Sequence, residues 1–136
     1  MEPDRSPLAV FLFYEDGSGV DAYESLWAAW QGVEGIDVKN GEYVFIAADG
    51  RHVEATVAGK WDDDVLLRLT DVDRADELRR RLVQGLPRMG LDERLADSPL
   101  AAAQALADQR WHVRWPRWPL WLDRRLHGER PVLNRT

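Results

Sequence analysis

A chain of 136 residues, 45% apolar and 31% charged, has material for one domain with a real core. It has no cysteine, which excludes disulfides, thiolate metal sites and a cysteine nucleophile. The net charge of −6 is divided: residues 1–109 hold 11 Lys/Arg against 22 Asp/Glu, a net of −11, while residues 110–136 hold 7 Arg against 2 acids, a net of +5.

No apolar run approaches the ~18 residues of a membrane span. Met1 to Pro7 carries two acids and one Arg, so the basic n-region of a signal peptide is not expected, and the lack of cysteine suits a cytoplasmic setting. Leu8 to Tyr14 is a continuous apolar run of strand length, as in a strand buried on both faces. Glu15 to Gly19 is a turn. Ser18 followed by Asp21 resembles a capping box, and Tyr23, Leu26, Trp27, Trp30 and Val33 share one face at helical spacing.

Ile36 to Val57 holds the two strongest hairpin signals, Asn40-Gly41 and Asp49-Gly50. Two-residue loops would pair Val38 with Tyr43, Ile36 with Phe45, Ile46 with Val53 and Val44 with Ala55. The strand Glu42 to Ala48 is then apolar on both faces, and a slip of one residue in either loop exchanges them. Asp64 to Thr70 is a further strand, with Val65, Leu67 and Leu69 on one side. Asp71 or Asp73 can cap the next helix, whose buried stripe is Ala75, Leu78, Leu82 and Val83. Ser98-Pro99 begins another, with Leu100, Ala103, Leu106, Ala107 and Trp111 inward. Pro119 can start a short helix that ends at Gly128.

The order β-α-β-β-β-α, followed by further helix, predicts an α+β domain. Its mostly antiparallel sheet has helices on one face, and a Trp/Arg/Pro-rich C-terminal tail packs on the domain. The domain proper is residues 1–109, and residues 110–136 are its basic extension. With helices on one face, Tyr43 and Phe45 on the other need a cover, either the tail or a partner protein.

Chemistry-bearing motifs are few. His52, His112 and His127 form no metal-ligand spacing, so no metal and no cofactor are expected. Asp62-Asp63-Asp64 lacks the pattern of a calcium loop. The Gly17-Ser18-Gly19 turn lacks a phosphate-loop motif and is flanked by acids. No catalytic residue is assigned. Arg79-Arg80-Arg81 follows Asp76 and Glu77 at i,i+4 and reads as a solvated helical face. The exception is the tail, where Trp111, Trp115, Trp118 and Trp121 alternate with Arg114, Arg117 and other arginines. That mixture suits intramolecular packing, a protein interface, a nucleic acid contacted through residues 110–125, or a membrane interface.

The residues Ile36, Asp37, Val38, Asn40, Gly41, Glu42 and Tyr43, with Gly50 and Arg51 following, resemble a class of small uncharacterised bacterial proteins with a central I-D-V-x-N-G-E-Y segment. The likeness covers about a sixth of the chain and implies no activity.

The functional expectation is a non-enzymatic protein-binding module that contacts its partner through Tyr43, Phe45, Trp111, Arg114, Trp115, Arg117, Trp118 and Trp121. A toxin-neutralising immunity or inhibitor protein is one concrete version, since an acidic body can occlude a basic active site. The alternatives are a nucleic-acid-associated protein using the basic tail, or an enzyme whose site is assembled only in space.

Overall fold

Strand-forming runs and helical stripes alternate along the chain, and in the computed structural model they close into one α+β layer arrangement. The structure describes residues 2–33, 35, 38, 40–59, 64–114, 125, 128 and 130–133. The elements are β1 (Val10–Tyr14), β2 (Val20–Tyr23), α1 (Leu26–Gln31), β3 (Tyr43–Ala47), β4 (Arg51–Ala58), β5 (Asp64–Asp73), α2 (Ala75–Gly85) and α3 (Pro99–Arg114). Two 3-10 turns, Pro87–Met89 and Glu93–Asp97, join α2 to α3. The five strands form one antiparallel sheet in the order β2-β1-β3-β4-β5.

The sheet is apolar on both faces at its β2–β1–β3 end, and each face has its own core. On one face Phe11, Phe13, Val20, Ala22 and Ile46 meet Leu78, Leu82 and Leu86, together with Ala103, Leu106 and Ala107 of α3. On the other, Val10, Leu12, Phe45, Ala47, Val53, Val65 and Leu67 meet Leu26 and Ala29 of α1. Each large side chain fully buried here contributes about 1.5–3 kcal/mol. The two long helices thus share one face, and the short α1 covers the opposite one, with Val38 packed beside it. Beyond β3 the first face turns polar: Glu54 and Arg68 form an exposed ion pair across β4 and β5.

Three local expectations are corrected. First, Val20–Tyr23 is a strand, not the start of a helix. The cap of α1 is Ser25, whose Oγ accepts from the Ala28 amide at 3.1 Å, and Ser18 lies in the β1–β2 turn.

Second, β3 does not take its partner from the residues before Asn40-Gly41. Gly35 and Val38 are helical, while Ile36, Asp37 and Lys39 lie outside the described residues. The neighbours of β3 are β1 and β4, with Leu12↔Phe45 and Tyr14↔Tyr43 in register. Pairing two strands that are buried on both faces gains more apolar contact than a local hairpin would.

Third, the β3–β4 register is Phe45↔Val53 and Ile46↔His52, one residue from that expected. The loop has three residues, and the Gly50 amide donates to the Ala47 carbonyl at 2.9 Å. Gly50 has φ +94, the left-handed residue that such a loop needs. The slip puts Val53 on the same face as Phe45, under α1.

The helices are expected on one face, but α1 lies on the other. The second and third helices form where the sequence places them, although Ala75 of the expected stripe is exposed. α2 buries Leu78 and Leu82, and the Asp73 carboxylate accepts from the Ala75 amide at 2.9 Å. α3 begins at Pro99 with its inward face on Ala103, Leu106 and Ala107. The short helix expected between Pro119 and Gly128 falls mostly outside the described residues; of that span only Arg125, which is helical, and Gly128, with φ +77, are described.

Candidate interaction site

The structure separates the residues expected to bind a partner. Phe45 is 1% exposed. It lies beneath α1 as core and offers nothing to a partner in the folded chain. Tyr43 is half-buried, edge-on to both Tyr14 and Phe45, with ring centroids 5.5 and 6.1 Å away. The cover for this face is largely α1, and Trp30 pins it by donating its indole N–H to the Val65 carbonyl at 2.9 Å. Trp111 is half-buried in the last turns of α3, and Arg114 ends that helix. Trp115, Arg117, Trp118 and Trp121 lie outside the described residues, as do Asp62, Asp63 and His127.

α3 runs through the point where the chain's charge changes sign, because Arg110 is built into the body. Its guanidinium donates to the Asp21 carboxylate and, at 2.6 Å, to the Ala22 carbonyl. It also lies 4.6 Å from the centroid of the Tyr23 ring. One side chain therefore ties α3 to β2 by a charged hydrogen bond, a backbone bond and a cation–π contact. Burial pushes the Asp21 carboxyl above its ordinary value, outweighing the attraction of Arg110. Burial, with the Asp21 charge adding, pushes the Tyr23 hydroxyl up to about 12.

Beside this latch lies an open cleft of 330 Å³ between α3, the β1–β2 hairpin and the turn after α2. Its walls are Tyr14, Val20, Met89, Leu106 and Val113, with Asp21, Gln109 and Arg110 at its polar edge. Val20 and Leu106 form the buried floor, whereas Tyr14 and Val113 stand 42% and 78% exposed at the rim. Gln109 is committed, donating to the Met89 carbonyl at 2.7 Å. The cleft is thus mainly apolar, and its charged groups already bond one another. Such a surface suits an inserted apolar side chain better than acid–base work.

No signal in the sequence marked the cleft, because Tyr14, Met89 and Val113 are distant in the chain and belong to no shared periodicity.

Elsewhere the charged motifs pair among themselves. Arg81 lies 3.7 Å from Glu77 and 3.5 Å from Glu15, and Arg79 lies 2.7 Å from Asp97. His52 is half-buried on β4 and His112 is exposed. Among the described residues no group of three His, Asp or Glu is placed to hold a metal ion, and no helix is long and apolar enough to cross a membrane.

Comparison with known proteins supplies no relative: no family model, no curated protein and no solved structure matches the chain.

Proposed function

We propose that this chain is a non-enzymatic protein-binding module whose partner seats an apolar side chain in the cleft at the end of α3. The observation that carries the reading is the cleft itself. Its floor is apolar, its two rim residues are exposed, and its charged groups, Asp21 and Arg110, are engaged with each other. The proposal extends to Trp111 and Arg114, and to Trp115, Arg117, Trp118 and Trp121, which follow Arg114 directly in the sequence. Trp and Arg are the side chains that dominate protein interfaces.

The net of −11 over residues 1–109 favours a partner with a basic surface, which such a charge would steer and align. An inhibitor or toxin-neutralising immunity protein is the concrete version that combines acidic body and apolar anchor site. A cytoplasmic setting belongs to the same proposal and is supported by the cysteine-free composition.

The test is affinity capture with the full-length chain, Val113→Lys and Val72→Lys in parallel. Val72 is 48% exposed on β5, away from the cleft, and serves as the control. A protein captured by the wild type and by Val72→Lys but lost with Val113→Lys supports the reading. Capture that is indifferent to Val113→Lys counts against the cleft.

A further inference from the structure

The opposite flank of α3 holds the chain's last described residues in an unusual way. The Gln104 side-chain amide donates its Nε2 to the Pro131 carbonyl at 3.0 Å, and its Oε1 accepts from the Leu133 N–H at 2.7 Å. The carbonyl of one residue and the amide two residues on face the same side of an extended chain. One glutamine thus stands in for a neighbouring strand, reading backbone rather than side chain.

Two side chains supply selectivity. Leu133 is 6% exposed in the core formed with Ala103 and Ala107. Arg130 places its Nε 3.5 Å from Asp108, whose carboxylate also accepts from Gln104 at 2.8 Å. Val132 between them is 47% exposed and contributes little. The requirement is therefore an extended backbone with an arginine three residues before a leucine. Alongside Leu133 a hollow of 220 Å³ remains, bordered by Leu8, Ala48 and Leu100. Residues 130–133 leave it unfilled, so a larger apolar neighbour on another chain would bury surface there that this segment does not.

We propose that this flank of α3 is a docking groove for an extended Arg-x-x-Leu segment of a separate protein, and that residues 130–133 occupy it in cis. It is a second site, on the far side of α3 from Val113, and stands independently of the cleft.

The test uses full-length Leu133→Ala, which vacates the leucine pocket, and the blocked peptide Arg-Pro-Val-Leu-Asn. At about 1 mM the peptide is expected to raise the melting temperature of the variant by about 3 °C, while the same peptide with alanine for leucine leaves it unchanged. Should Leu133→Ala not fold, Val132→Cys in the otherwise wild-type chain gives a unique attachment point, since the sequence has no other cysteine. A polarity-sensitive dye there changes emission when the leucine peptide displaces residues 130–133, and does not respond to the alanine peptide. No leucine-dependent response in the melting or the dye experiment overturns the groove. A wild-type dimer that the peptide dissociates would make a second copy the occupant and overturn the separate partner.

Discussion

Replacing Arg110 by alanine tests how residues beyond Gln109 are tied to the body. The substitution removes a charged hydrogen bond to Asp21, a bond to the Ala22 carbonyl and the contact over Tyr23. Hydrogen bonds to charged groups contribute about 1.5–3 kcal/mol, and the cation–π contact adds about 0.5–1 kcal/mol. The two side chains are 34% and 30% exposed, so solvent screening takes back part of this. A net loss of about 2 kcal/mol remains, which for a domain of this size lowers the melting temperature by roughly 8 °C. Thermal unfolding followed by circular dichroism measures it. A double-mutant cycle with Asp21→Asn isolates the pair and is expected to give a coupling of about 1 kcal/mol or more. The Asp21 carboxyl, already raised by burial, should rise further in Arg110→Ala when titrated by NMR. A melting temperature within about 1 °C of wild type, with zero coupling, would refute the latch.

Removing residues 110–136 takes away both Arg110 and Leu133, so the 1–109 chain should lose about 4 kcal/mol and melt well below the full chain in the same assay. Gly50→Ala should cost about 2 kcal/mol in denaturant unfolding, because Gly50 has φ +94 and an added Cβ would lie 3.0 Å from the Ala75 Cβ. Trp30→Phe should cost about 1–2 kcal/mol by stranding the Val65 carbonyl. The Tyr23 hydroxyl should titrate near 12, well above an exposed tyrosine, by ultraviolet absorbance. Asp21 fixes the sign of one pH dependence. Burial holds its folded pKa above the ordinary carboxylate value of 3.8, so folding favours the protonated carboxyl. The stability this site contributes is present below about 3.8 and is lost as pH rises through the folded pKa. Asp21→Asn should abolish that component of the stability–pH profile.

Much of the architecture was legible because burial leaves period-two and period-3.6 marks. Leu8 to Tyr14 announced a strand buried on both faces, and β4 and β5 alternated cleanly. The second and third helices were marked by stripes and by Asp73 and Ser98-Pro99. The sequence misled where short range and long range competed. Asn40-Gly41 is a strong local hairpin signal, yet β3 pairs with β1 because Leu12↔Phe45 and Phe13↔Val44 match apolar residues on both faces. β2 was hidden because Tyr23 also fits the helical spacing of Leu26 and Trp30, and only Val20 and Ala22 mark a strand. The helix that covers Phe45 proved to be α1, a short element that periodicity alone could not assign to a face. The cleft was illegible for a further reason: three separate segments form it, and only the folded chain brings Tyr14, Met89 and Val113 together.

The proposed interaction surface can be tested most directly by site-specific photocrosslinking. A benzophenone amino acid at position 113, at the rim of the cleft, is compared with one at position 72 on β5, each in the full chain with its captured partner. A covalent adduct is expected from position 113 and none from position 72. A bound partner that crosslinks at 72 and not at 113 would contradict it.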